Sequence, residues 1–488
     1  MVGRGPGRGR SGRRGAVGLL VAVALLSGVG AYGVADIRGH VPGPLTDDPV
    51  PDQYPALGTA PGAREPQPLT STPARALDEA APAPDPAALV QELAPLLADP
   101  RLGPSVAASV VDARTGATLY DRRATAAQEP ASVAKLLTAA ATLDRLGPEA
   151  TVTTSVVGAA GSPELYLLGG GDVLMAAGAG DTSRASGRAG LGDLAEQTAQ
   201  ALAATGRTSV TLRLDDSVLG GLGWGEAIGP GWEPADVSNG YVAPVTGIAV
   251  NAGRTRDENY APRLADPGLS AAQVFADALG THGITVQGPL VRGRAPQGAA
   301  TLASVTSAPL AEVVAHVLVT SDNNGAEALA RLVAVDRGAA PGFASAGAAV
   351  LAQVAELGLA TGGLVLADGS GLSDGSRLSP AVLTGVLAAA ASEQHVALRP
   401  LVVGLPVAGL DGTLADRFAS ASGAGAGQGV VRAKTGSLTG VGTLAGTVLD
   451  ADGRLLAFAV MADQVPSSIP ARQALDRVAS TLAGCGCR

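Results

Sequence analysis

The chain is nearly without lysine. Of its 34 basic residues two are lysine, Lys135 and Lys434, and the other 32 are arginine. A guanidinium stays protonated at any pH at which an enzyme works, whereas burial or a neighbouring charge can strip a lysine amine of its proton. Where arginine has taken almost every basic position, the two remaining lysines are candidates for proton transfer, and their surroundings must decide between that and two surface leftovers.

Cysteine is as scarce: Cys485 and Cys487, in GCGCR at the C-terminus, are the only two. In an oxidising compartment they can bond each other, across a strained one-residue loop, or bond a partner. Two thiols with no histidine nearby make a poor metal site, so neither metal nor cofactor is expected. Basic stretches are also missing beyond the first 14 residues, and with a net charge of -9 nucleic-acid binding has no electrostatic support.

What is present is length and apolar material. At 488 residues and 46% hydrophobic, the chain has enough for two or more domains. Arg4, Arg8, Arg10, Arg13 and Arg14 precede an uncharged run from Ala16 to Ala35, long enough to span a bilayer and carrying its positive charge on the cytoplasmic side. Residues 1–36 therefore read as a basic stub plus a signal peptide or signal-anchor helix, and the protein as exported, secreted or anchored by this segment alone. Residues 37–87 form a proline-rich linker whose stretch from Val41 to Pro86 reaches on the order of 140 Å if fully extended.

Beyond it, Ser105 to Arg123 alternates as two strands about a turn, and VVRAKTGSLTGVGTLAGTVLDADGRLLAFAVMAD alternates as three more, the last two joined at Asp452-Gly453. Five strands split between the two ends of the chain predict one antiparallel sheet with an insertion. Helices are predicted at Ser132 to Leu146, at Leu310 to Val333 and at Pro380 to Ala391, the last capped by Ser379. The region 151–301 has strands of its own in ELYLLGG and SVTLRLDD, with helices at Leu194 to Ala204 and Ala271 to His282, and reads as an inserted lobe. That leaves 88–150 and 302–484 as a discontinuous catalytic domain.

Three short patterns carry chemistry. Ser132 and Lys135 stand three apart on one helix face, so a neutral Lys135 could take the proton of Ser132 while the helix N-terminus favours an oxyanion; alternatively Ser132 only caps the helix. Ser321-Asp322-Asn323 offers a hydroxyl for proton relay and an amide to bind a substrate carbonyl and hold Lys135; alternatively it is a polar kink between helices. Lys434-Thr435-Gly436-Ser437, on an edge strand, offers Lys434 and Thr435 to a carboxylate and Gly436 for close approach of a substrate backbone. The N–H of Ser437 would complete an oxyanion hole with that of Ser132. Positive charge nearby is expected to help keep Lys135 neutral.

In this order, and using both lysines, these are the S-x-x-K, S-D-N and K-T-G patterns of penicillin-binding proteins and class A β-lactamases. Ser132 and Ser321 are separated by 189 positions, and the intervening lobe carries LYLLGGGD, GWEPAD and GYVAPVTGIAVNAG. LADGSGLSDGSRLSP and AGLDGTLADR follow. Over about residues 88 to 483 the chain resembles the class C low-molecular-mass penicillin-binding proteins, the D-alanyl-D-alanine carboxypeptidase/endopeptidases. The resemblance implies an α+β, penicillin-binding/β-lactamase-like transpeptidase fold, with a five-stranded antiparallel sheet flanked by helices and a large inserted lobe. It implies a serine D-Ala-D-Ala carboxypeptidase, with or without endopeptidase action, acting on peptidoglycan stem peptides outside the cytoplasm and inhibited covalently by β-lactams. Ser132 would be the nucleophile, Lys135 the base, Ser321 and Asn323 the relay and substrate contacts, Lys434 and Thr435 the carboxylate receptors. Asp236 and Tyr241 are candidates for an acid and an aromatic of the lobe that approach the amine of a diamino acid.

Other readings fit less. Gly371-Leu372-Ser373-Asp374-Gly375 matches G-x-S-x-G, but no strand leads directly into a helix there and His395 is the only later histidine. A class A β-lactamase would call for a glutamate four positions before an asparagine, and none of Asn239, Asn251, Asn259, Asn323 or Asn324 has one. A non-catalytic sensor of cell-wall peptides or β-lactams would have no use for a titratable amine at Lys135.

Overall fold

The computed structural model describes Leu77, Asp78 and residues 80–159 and 161–488. The expected basic stub, the apolar run from Ala16 to Ala35 and most of the linker lie outside the described residues.

In chain order the strands are β1 (Ser105–Asp112), β2 (Thr118–Arg122), β3 (Thr153–Gly158), β4 (Glu164–Leu168), β5 (Ser209–Asp215), β6 (Thr285–Arg292), β7 (Ala300–Thr306), β8 (Arg432–Leu438), β9 (Val441–Leu449) and β10 (Leu455–Asp463). The helices that matter below are α1 (Pro86–Leu97), α2 (Lys135–Leu146), α3 (Leu191–Ala203), α4 (Pro234–Ser238), α5 (Pro267–Thr281), α6 (Leu310–Thr320), α7 (Asn323–Asp336), α8 (Phe343–Glu356), α9 (Pro380–Ala391) and α10 (Ser468–Gly484).

One sheet runs β2-β1-β10-β9-β8, antiparallel throughout, and joins the two ends of the chain as the alternating patterns predict. Its inner strands β1, β10 and β9 are buried on both faces, and the twofold period of the strand assigns each residue to one of them. On β10, Ala457, Ala459 and Met461 join a core with α2, α6, α7, α8 and α9. Leu456, Phe458 and Val460 join another with α1 and α10. Leu89, Leu93 and Leu97 recur every four residues on α1, so that single stripe is what the helix buries.

A second five-stranded sheet, β6-β5-β4-β3-β7, is mixed, with β4, β5 and β6 mutually parallel and β3 antiparallel to both its neighbours. It packs on α3 and α5. Its last strand runs past residue 301, where the inserted lobe was expected to end, to Thr306, because Thr306 still pairs with Thr153 at the start of β3.

The single helix expected over Leu310 to Val333 is instead two. Ser321 adopts a left-handed backbone, φ 57°, which ends α6, and the extended Asp322 then caps α7, its side chain accepting from the N–H of Gly325 at 2.9 Å. Left-handed serine carries a real conformational cost, so the turn is held by its contacts.

One buried ion pair ties the β1 end of the sheet to the β9–β10 turn. Asp112 accepts from the Nε of Arg454 at 2.7 Å and from the backbone N–H groups of Arg114 and Thr115. Asp112→Ala would take the carboxylate away from a buried guanidinium and release the turn after β1. The expected result is a loss of about 3–5 kcal/mol, read as a lower urea midpoint with an unchanged slope.

Candidate active site

The site forms where the N-terminus of α2, the α6–α7 turn and the edge strand β8 meet. Ser132 lies in a 3-10 turn (Ala131–Ala134) that leads into α2, and it makes no side-chain cap bond; its Oγ instead accepts from Lys135 Nζ at 3.0 Å. Lys135 Nζ also donates to Asn323 Oδ1 at 2.6 Å and to the carbonyl of Ser370 at 2.8 Å. Three donors to three acceptors is the arrangement of the ammonium form. If the amine loses one proton, two N–H groups still hold Asn323 and Ser370 while the lone pair faces the Ser132 hydroxyl.

The second lysine reaches the site from the other side. Lys434 Nζ donates to Ser321 Oγ and to the carbonyl of Thr435, both at 2.9 Å, and Thr435 Oγ1 lies 3.1 Å from Thr413 Oγ1. Both lysines of the sequence are therefore fully buried and each bonds a serine of the proposed set.

Burial drives the electrostatics. The Lys135 amine is pushed down to about 8, chiefly by desolvation, against the carboxylates of Asp368, Glu327 and Asp322, which hold its proton on. Dehydration is thus the main cause that lets Lys135 become neutral, and the neighbouring positive charge of Lys434 acts in the same direction as a lesser contribution. Lys434 is depressed well below its usual range by burial first and then by the charge of Lys135. Burial pushes the Asp322 carboxyl up, but Arg254, Arg263 and the Gly325 N–H outweigh it and leave it below the ordinary range.

Gly436 is required by the chain's own packing rather than by open space for a ligand. A Cβ there would sit 2.1 Å from Thr443 Oγ1 and 2.8 Å from the Pro130 carbonyl. Thr443 Oγ1 donates to that carbonyl at 2.8 Å, so the bare glycine lets β8 and β9 close on the segment that delivers Ser132. Ser437 is half-buried on β8 opposite Gly442, and β8 is the edge strand of the sheet, its outer side covered at Arg432 and Ala433 by the segment of Pro406 and Val407.

The two lobe candidates lie together beside Asn323. The backbone carbonyl of Tyr241 accepts from Asn323 Nδ2 at 2.9 Å, and its ring, 43% exposed, stands edge-on to Tyr260. Asp236 adjoins Tyr241: its backbone carbonyl accepts from the N–H of Tyr241 at 2.8 Å, while its carboxylate accepts from the N–H of Glu233 at 2.8 Å and caps the short helix α4.

Sequence reasoning missed the groups behind Lys135. Glu327 and Asp368 are fully buried and fix the loop after α8 that carries Ser370, and Arg254 pairs with Asp322 at 2.7 Å behind the serine turn. The one available signal was that Glu327 follows Asn323 by four residues and so shares its helix face.

A five-stranded antiparallel sheet between helical layers, with a serine–lysine pair at a helix start and a second lysine on the edge strand, defines the penicillin-binding, serine-acylating class of fold. The sequence model of the D-Ala-D-Ala carboxypeptidase 3 (S13) family matches residues 89–263 and 256–482, and the chain belongs to that family. It is 39% identical to carboxypeptidase DacB of Mycolicibacterium smegmatis, over 86% of this chain and 90% of that one. It is 31% identical to a D-alanyl-D-alanine carboxypeptidase of an Actinomadura species, over 76% and 80%. The fold matches the crystal structure of penicillin binding protein 4 from Haemophilus influenzae with a TM-score of 0.64 at 21% identity, covering 82% of this chain and 99% of that one.

Proposed function

We propose that the chain is a serine-type D-Ala-D-Ala carboxypeptidase that cleaves peptidoglycan stem peptides through an acyl-enzyme on Ser132. The observation that carries the reading is the bond from Lys135 Nζ to Ser132 Oγ in a buried setting that disfavours the ammonium. Neutral Lys135 takes the hydroxyl proton as Oγ attacks the carbonyl between the two D-alanines. The N–H groups of Ser132 and Ser437 receive the developing oxyanion, and Lys434 and Thr435 receive the terminal carboxylate. The C–N bond breaks, and a proton passed through Ser321 goes to the amine of the departing D-alanine. Water then cleaves the ester. A β-lactam enters the same step, but its leaving amine remains tethered to the acyl group, so the leaving group stays in the site and the adduct persists.

Export fits this substrate class, and the Arg4 to Arg14 cluster ahead of the run from Ala16 to Ala35 supports it. The test of the function is release of free D-alanine from a peptide ending in D-Ala-D-Ala. We expect release that benzylpenicillin abolishes. Peptide binding without release, and without a penicilloyl adduct, would replace the enzyme with a sensor.

A further inference from the structure

Glu327 lies one helical turn beyond Asn323 on α7, and the acyl-transfer scheme above makes no use of it. Its side chain is fully buried, and each of its oxygens takes one backbone N–H of the loop after α8: Oε2 that of Gly369 at 3.0 Å, Oε1 that of Ser370 at 2.9 Å. The carbonyl of that same Ser370 accepts from Lys135 Nζ at 2.8 Å. Asp368, two residues before Ser370 and also fully buried, closes the loop by accepting from the N–H of Ser373 at 2.7 Å and from Trp232 Nε1 at 2.9 Å. An ionised carboxyl is costly to bury unless its hydrogen bonds are made. Here both oxygens are spent on the two amides that aim one carbonyl at one amine.

We propose that Glu327 is a positioning residue for acyl transfer, its carboxylate tying the Gly369–Ser370 backbone to α7 so that the Ser370 carbonyl turns Lys135 Nζ toward Ser132. The proposal rests on the reading of Lys135 as the base. Its chemistry has two separable parts, reach and charge. Reach sets how well the lone pair is aimed. Charge sets how tightly Lys135 keeps its proton, because Glu327 from α7, Asp368 from the loop and Asp322 from the serine turn all face that amine and favour its charged form. Lys434 faces it from β8 with the opposite sign. Burial and then Asp368 push the Glu327 carboxyl up to about 8, while the Gly369 N–H and Arg331 on the same helix pull it down.

The experiment is the second-order constant for acylation of the full chain by benzylpenicillin, followed by intact mass from pH 5.5 to 9.5, for the wild type, Glu327→Gln and Glu327→Asp. Glu327→Gln removes the charge and turns an N–H toward one of the two amides. Its alkaline plateau should fall about tenfold or more, and its acid limb should move to lower pH by about half to one unit. Glu327→Asp keeps the charge but is one methylene short, so its limb should stay while its plateau falls. A Glu327→Gln profile identical to the wild type would overturn the proposal, as would a lowered plateau with an unmoved limb, which is what a residue serving the fold alone would give. Should Glu327→Gln fail to fold, an unchanged plateau in Glu327→Asp overturns it. A wild-type profile with no acid limb would instead remove Lys135 as the base, and the proposal with it, so the two failures are told apart.

Discussion

Ser132→Ala is expected to take up no penicilloyl group and to release D-alanine at a rate at least 10,000-fold below that of the wild type, while folding normally. The wild type should gain one penicilloyl mass that persists for hours. The size of the effect follows from the route: without Oγ there is no atom to carry the acyl group, and what remains is the aid that the oxyanion donors and Lys135 can give directly to water. Stability should barely change. Ser132 is half-buried, caps no backbone group of α2, and gives its oxygen to Lys135, which keeps Asn323 and Ser370 as acceptors in its absence. Intact mass and thermal midpoint, measured on the same sample, separate a dead nucleophile from an unfolded protein. A penicilloyl adduct on Ser132→Ala would place the nucleophile elsewhere.

Much of this was legible before any coordinate, and the physical reason differs from part to part. The central sheet was legible because strands with period 2 differ from their flanking helices, and because an Asp-Gly turn marks the β9–β10 hairpin. Ser132, Ser321, Asn323 and Lys434 were legible because their types and order are chemically specific and because a chain of arginines leaves its lysines conspicuous. The break at Ser321 was not: apolar helical sequence continues on both sides, and a left-handed serine has no signature of its own. Nor were Glu327 and Asp368, since an acid within a helix or a Gly-Ser loop reads as solvated until its hydrogen-bond partners are known. Asp236 poses the converse case. An acid two residues into a short helix has a local use, as a cap, that needs no ligand.

Replacing Lys135 by arginine should be nearly as damaging as removing Ser132, although it preserves the charge: acylation should fall at least 1,000-fold at every pH between 6 and 9.5. An amine at Lys135 can lose its proton because burial lowers it to about 8, whereas a guanidinium keeps its proton across the whole range. The wild type should then show the reverse of a flat profile. Below about pH 8 the base is mostly protonated and the acylation constant should rise tenfold for each pH unit; above it the base is neutral and the constant should level off. The same depression acts on the fold. Between about pH 8 and 10.5 the unfolded chain binds this proton and the folded chain does not, so stability rises with pH through that window. Below about pH 8 the full penalty is present, about 3 kcal/mol for a shift from 10.5 to about 8. A protein that accepts this cost at one buried lysine, and places a second depressed lysine on the neighbouring strand, has traded stability for a base that is free near neutral pH. Arginine, which fills nearly every other basic position of the chain, could supply charge at either site but could not supply that lone pair. An acylation profile for Lys135→Arg matching the wild type would show that the amine is not the base.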